Sequence, residues 1–191
     1  IDSDIDFQSN PIFKMIGADK DIISCPYPMK TFDTDKMWKT IKETNIVKTK
    51  NDLLKAGHVF PLKIGDNELK MEHGVIKVTH APTGCMLIKR EVIEKMIKHY
   101  PELEIYQPTI VNGEEVKKDN MFNLFDTLHD TETKRYFGED FGFCQRWGDM
   151  GGEIYIYALD NITHVGDHQY CGRFYDLLES AKSVDDSEKI K

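Results

Sequence analysis

The period of the hydrophobic positions changes several times along the chain, and each change marks an element. Ser9-Asn10-Pro11 is followed by Ile12, Phe13, Met15 and Ile16 at helical spacing. Ser9 or Asn10 can cap this helix, Pro11 suits its first turn, and Gly17 closes it. Asp21-Ile22-Ile23-Ser24-Cys25 is a short apolar run stopped by Pro26 and Pro28, which predicts a strand running into a loop. Asp33 to Asn45 is predicted helical, with Met37, Trp38 and Ile41 on one face. Between 57 and 80, short apolar runs alternate with Gly65-Asp66-Asn67 and His73-Gly74, the pattern of strands joined by tight turns. Cys85-Met86-Leu87-Ile88 reads as a buried strand leading into an amphipathic helix, in which Val92, Ile93, Met96, Ile97 and Tyr100 keep helical spacing until Pro101. Residues 101 to 135 are polar and mixed, and predict a long loop over one face.

Glu139 to Met150 is again helical, with Phe143, Cys144 and Trp147 on one side and Gly151-Gly152 as the stop. Glu153-Ile154-Tyr155-Ile156-Tyr157 has the β-branched and aromatic character of a strand, and His164 follows Ile162 at the end of the last clear one. Beyond Phe174-Tyr175-Asp176-Leu177-Leu178, residues 181–191 are charged and without period, and are expected to be frayed. Strands and helices interleave without a linker or a repeat. This predicts an α/β protein, one domain over 1–180, with a mixed sheet flanked by helices.

Composition narrows the choice of partner. Of the 191 residues, 25 are Lys or Arg and 33 are Asp or Glu, a formal net charge of −8, with 40% hydrophobic and 30% charged residues. That mix excludes collagen-like, coiled-coil and wholly disordered chains and can bury one sizeable core. The acidic balance disfavours nucleic acid, which demands clustered cations, but leaves room for a nucleotide held by a few donors or a bridging cation. No run approaches the ~18 apolar residues of a membrane span. The cysteines at 25, 85, 144 and 171 form no CxxC pair, so they read as reduced, mostly buried thiols, which favours a reducing, cytoplasmic setting.

Four segments can carry chemistry. In Asp2-Ser3-Asp4, two carboxylates two residues apart can converge on one hard cation, which keeps open positions for diphosphate oxygens. Ile1 ahead of them reads as the last residue of a strand, with its earlier part outside the sequence. In the block Tyr136 to Cys144, Glu139 and Asp140 open a helix among three Phe residues and a Tyr. They either complement the helix dipole or, walled by apolar rings, serve as a general base. In Thr163-His164-Val165-Gly166-Asp167-His168, His164 is a candidate third ligand beside two carboxylates, and His168 a surface residue. In Thr83-Gly84, glycine lets a substrate approach the backbone and threonine offers a hydroxyl and an N–H.

Taken in chain order, Asp2-Ser3-Asp4, the strand ending at Pro26-Tyr27-Pro28, Thr83 to Arg90, Glu139-Asp140-Phe141-Gly142-Phe143-Cys144-Gln145-Arg146-Trp147 and His164-Val165-Gly166 resemble nucleotide-sugar-dependent glycosyltransferases of the GT-A fold, of the small viral and bacterial type. The resemblance runs from Asp2 to about Gly172. It implies a Rossmann-like sheet whose usual opening of about three strand–helix units is missing, so that this chain is the catalytic C-terminal portion. It also implies Mn²⁺ or Mg²⁺ as cofactor and a nucleotide sugar, a UDP-sugar first, as donor to a glycan, protein or small-molecule acceptor. Asp4 is then the direct metal ligand, Asp2 reaches the ribose or a metal-bound water, and His164 completes the metal shell. Thr83 and Gly84 line the sugar pocket. Asp140 deprotonates the acceptor in an inverting transfer, Glu139 holds sugar hydroxyls, and Trp147 belongs to the core. Three other readings share parts of this apparatus: a sugar-phosphate nucleotidyltransferase, a non-catalytic sugar- or nucleotide-binding module, and an iron oxygenase using His164, Asp167 or His168.

Overall fold

The computed structural model describes residues 1–45, 47–65, 69–116 and 120–179. Its elements run β1 Ile5–Phe7, α1 Ser9–Gly17, β2 Ile22–Ser24, α2 Thr34–Glu43, α3 Lys50–Ala56, β3 Met71–Glu72, β4 Val75–Val78, β5 Met86–Ile88 and α4 Arg90–His99. They continue β6 Thr109–Val111, β7 Glu114–Val116, β8 Leu128–Asp130, β9 Arg135–Phe137, α5 Glu139–Asp149, β10 Ile154–Tyr157, β11 Ile162–Val165 and β12 Gln169–Gly172. Residues 174–179 are helical.

Ile22 and Ile23 are neighbours in β2, and both are fully buried, so this strand is covered on both faces. It lies inside a five-stranded mixed sheet of order β3-β4-β10-β2-β5. Within it β2 and β10 are parallel, with Ile154 opposite Ile22, while the other pairs are antiparallel. On one face Ile22, Ile76, Val78, Ile154 and Ile156 meet Val92 and Met96 of α4 and Phe143, Cys144 and Trp147 of α5. On the other, Ile23 and Tyr157 meet Met15 of α1, Ile5 of β1 and Ile162 of β11. Each such side chain contributes about 1.5–3 kcal/mol by leaving water, which is why alternate residues of β2 and β10 can serve two cores. The α/β class with a mixed sheet flanked by helices is thus what the chain adopts. A second sheet of order β1-β11-β12, antiparallel throughout, joins the two ends of the described chain, with Ile5 opposite His164 and Phe7 opposite Ile162.

Local signals account for the helices. Asp33 caps α2 by accepting from Lys36 N at 2.8 Å. Thr49 and Asp52 form a reciprocal capping box at the start of α3. The α1 cap differs from expectation. Gln8 occupies that position without a side-chain bond, and Ser9 is already helical.

Asp2-Ser3-Asp4 forms the turn that leads into β1, closed by Ile5 N to Asp2 O at 3.2 Å. Residues 101–135 are not a single loop. They hold the hairpins β6–β7 and β8–β9, the first turning at Asn112-Gly113 with φ of 51° and 85°. Between 57 and 80, β3 and β4 pair across the expected tight turn at His73-Gly74, with φ of 50° and 81°; the remaining described residues there hold isolated bridges at His58, Lys63 and His80, and 66–68 of the expected Gly65-Asp66-Asn67 turn lie outside the described residues. The expected helix forms as α2, and its Trp38 and Ile41 are 59% and 43% exposed, with α2 packed on α3. The expected frayed tail at 181–191 lies outside the described residues. Among the described residues, no helix is long and apolar enough to cross a membrane.

Candidate functional site

The chain leaves β2 through Cys25-Pro26-Tyr27-Pro28, at the carboxyl end of the parallel strand pair, where open α/β sheets commonly bind ligands. Tyr27 turns back into the protein and is 7% exposed. One edge of its ring meets His164, with centroids 4.9 Å apart and planes at 71°. The Gly84 backbone lies against its hydroxyl. A Cβ at position 84 would stand 2.6 Å from that hydroxyl oxygen, so only glycine fits there. The segment around Gly84 is pinned from three sides: Asp2 N donates to Gly84 O at 2.9 Å, Cys25 N to Cys85 O at 2.8 Å, and Ser24 Oγ to Pro82 O at 2.6 Å.

On one side of Tyr27 lie Asp4, His164 and Lys30. The register of β1 against β11 brings Asp4 beside His164, and Val165 N donates to Asp4 O at 2.8 Å. His164 Nδ1 is 3.1 Å from Pro28 O, which can only accept, so Nδ1 carries the proton. In the neutral ring, Nε2 then presents a lone pair toward Asp4 Oδ2, 3.4 Å away. Two acceptors at that separation call for a positive charge between or beside them, and the Lys30 ammonium is 2.7 Å from Asp4 Oδ2. The Lys30 hydrogen bond is the main reason the Asp4 carboxyl titrates below its ordinary range, against a smaller opposing effect of burial.

Asp140 sits in the first turn of α5, where the helix dipole favours an anion, and accepts a hydrogen bond from the Thr83 hydroxyl. Burial first, and the Asp140 carboxylate second, push the Tyr27 phenol up to about 12, with Asp2 and Asp4 adding to the effect. The phenol therefore stays protonated beside these carboxylates.

Asp4, His164, Thr83, Gly84 and Asp140, nominated from sequence, gather around Tyr27. Asp2 joins through its backbone, with its side chain exposed. Glu139 is exposed and takes no part in these contacts. The rings expected to wall the Glu139-Asp140 pair are spent elsewhere: Phe137 and Phe141 clamp His80 at 5.6 and 4.7 Å, Phe143 stacks on Phe125, and Tyr136 is exposed. His168 packs on Phe32 and Tyr170, and Trp147 lies in the core.

Tyr27 and Lys30 are the residues that sequence reasoning missed. Pro26-Tyr27-Pro28 at a strand end was a readable sign of a rigid loop, whereas nothing local distinguishes Lys30.

Among the described residues, no group of three or more His, Cys, Asp or Glu side chains is arranged to hold a metal. The donors that fit a hard cation are the Asp4 carboxylate and His164 Nε2, the latter oriented by its Pro28 hydrogen bond in the manner of metal-bound imidazoles. One or two protein ligands suffice for a cation that completes its shell with water and phosphate oxygens. A separate groove of about 1140 Å³ on the α1 face, lined in part by Phe13, Lys14, Lys20, Tyr155 and Tyr157, shares no lining residue with this cluster.

No family model, curated protein or solved structure matches this chain. What the site can do is therefore read from its own side chains. One half presents a carboxylate and an imidazole suited to a cation, and the other a carboxylate that already accepts a hydroxyl proton donor.

Proposed function

We propose that the chain is a GT-A-like glycosyltransferase that moves a sugar from a nucleoside-diphosphate sugar, a UDP-sugar first, to an acceptor hydroxyl with Mn²⁺ or Mg²⁺. The observation that carries this reading is the meeting of Asp4 with His164, 3.4 Å apart and from opposite ends of the described chain, with Tyr27 against the imidazole and the Asp140 carboxylate acting on the same phenol. Asp4 and His164 would hold the cation, which when bound lowers the charge on the departing diphosphate. Asp2 would serve the ribose or a cation-bound water. Thr83 and Gly84 would line the sugar pocket, and the exposed Glu139 would reach hydroxyls of the acceptor.

Asp140 acts as the base. Its carboxylate accepts the Thr83 hydroxyl, so an acceptor hydroxyl can replace or join Thr83 at the same group. The acceptor proton passes to Asp140 while the acceptor oxygen bonds to the anomeric carbon. The bond from that carbon to the diphosphate oxygen breaks, and its electron pair leaves with the nucleoside diphosphate. The protonated Tyr27 phenol remains a neutral neighbour of all three carboxylates.

The test measures Mn²⁺-dependent turnover of several nucleotide sugars by the wild type, Asp4→Asn and Asp140→Asn. Loss of the base should slow transfer about 10²–10⁴-fold, and Asp4→Asn should abolish the response to Mn²⁺. Unchanged turnover in both variants ends the assignment. Release of free nucleoside diphosphate supports it, whereas pyrophosphate would indicate nucleotidyl transfer. A thermal-shift screen of nucleoside diphosphates with and without Mn²⁺ identifies the base, since a ligand of the folded state raises its stability.

A further inference from the structure

We propose that Lys30 is the resident counter-ion of the Asp4–His164 cation site and the residue that grips the donor's diphosphate once a divalent cation has taken Asp4. The inference rests on the glycosyltransferase reading only for the cation and the diphosphate. The contacts themselves are independent of it. Lys30 Nζ lies 2.7 Å from Asp4 Oδ2, the same oxygen that stands 3.4 Å from His164 Nε2. Its stem passes over Gly166 in the turn between β11 and β12, where a Cβ would come within 3.0 Å of Lys30 Cδ and 3.4 Å of Cε. The glycine two residues after His164 thus gives the lysine its track, and both ends of the contact belong to the site.

A divalent cation on Asp4 Oδ2 competes with the Lys30 ammonium for the same oxygen, because like charges at such distances repel. Lys30 therefore gives up Oδ2 when a cation arrives. Its side chain is 40% exposed and flexible along four carbons, so the movement needs no change in the fold. A diphosphate bound at the same cation supplies the nearest new anion, and a lysine serves phosphate as a point charge.

The experiment is calorimetric titration of the full chain with Mn²⁺ alone, and with UDP at saturating Mn²⁺, for the wild type, Lys30→Gln, Lys30→Arg and Asp4→Asn. Lys30→Gln should bind Mn²⁺ about two- to fivefold more tightly, the scale of one exposed ion pair removed from competition. It should bind UDP with Mn²⁺ about tenfold more weakly, a loss of the order of one charge-assisted contact. Lys30→Arg should keep both affinities near the wild type, and Asp4→Asn should lose Mn²⁺. If Asp4→Asn loses Mn²⁺ while Lys30→Gln binds it no more tightly than the wild type, the counter-ion role is wrong and the cation site stands. If Lys30→Gln tightens Mn²⁺ but leaves UDP unchanged, the diphosphate role is wrong. If neither the wild type nor Lys30→Gln binds Mn²⁺, the cation reading fails and takes this proposal with it.

Discussion

Tyr27 and Gly84 can be tested against each other without assuming any activity. In Gly84→Ala the new Cβ falls 2.6 Å from Tyr27 Oη, 2.7 Å from Cε1 and 2.8 Å from Cζ. All three contacts are too short to persist, and both residues are buried, so the ring must be displaced. Overpacking of this kind costs about 1–3 kcal/mol. Tyr27→Phe keeps the ring but removes the hydroxyl packed against the Gly84 backbone. In the double variant the shortest contact is gone, while those to Cε1 and Cζ remain. The combined loss should therefore fall short of the sum of the single losses by about 1 kcal/mol, within the range of coupling seen between touching residues. The assay is urea unfolding followed by circular dichroism, with an unchanged slope expected in every variant. For a chain of this size each kcal/mol corresponds to about 2–4 °C in Tm. Additivity within about 0.5 kcal/mol, or a Gly84→Ala protein as stable as the wild type, would refute the proposed contact of Gly84 with the Tyr27 hydroxyl.

Arg146 is buried and its guanidinium donates to Leu124 O, Asp126 O and Thr127 O, at 3.4, 2.6 and 3.4 Å. Arg146→Met should cost about 3 kcal/mol by leaving carbonyls unpaired, and hydrogen exchange should show residues 124–128 opening. His58 and His80 titrate below 6.5 in the folded protein, chiefly because burial disfavours the charged ring. The unfolded chain then binds more protons below pH 6.5. The stability these two residues contribute is complete above that value and falls as the pH drops through their folded values. The urea midpoint measured from pH 8 to pH 5 should decline below 6.5, with a flatter decline in His80→Gln; an equal slope would count against His80. Cys25, Cys85 and Cys144 are buried, and burial pushes the Cys144 thiol up to about 11, while Cys171 is exposed. A thiol reagent should titrate one cysteine in the native protein and all four in denaturant; more than one fast native thiol would contradict that packing.

Helices α1, α4 and α5 and strands β2, β5 and β10 were legible because their signals are short-range. They consist of runs or stripes of apolar residues punctuated by Pro11, Pro26, Pro101 and Gly151. The hairpins between 109 and 137 were not, although Asn112-Gly113 is a turn signal. Strand β7 is exposed throughout and β6 nearly so, so no alternation separates them from a polar loop. The helix α2 was legible too, but helical spacing shows which residues share a side, not what that side meets, and α2 meets α3.

The amino-acid order by itself determined the α/β class, the main elements of the central sheet and the candidate segments Asp2-Ser3-Asp4, Thr83-Gly84, Glu139-Asp140 and His164. Each follows from residue type and near neighbours. Tertiary structure alone decided that Ile5 pairs with His164, which sets Asp4 beside the imidazole, and that Tyr27 closes on Gly84. It also placed the Lys30 ammonium on Asp4. Strand register and the crossing of distant segments are long-range properties of the packed chain, and no local pattern of side chains encodes them.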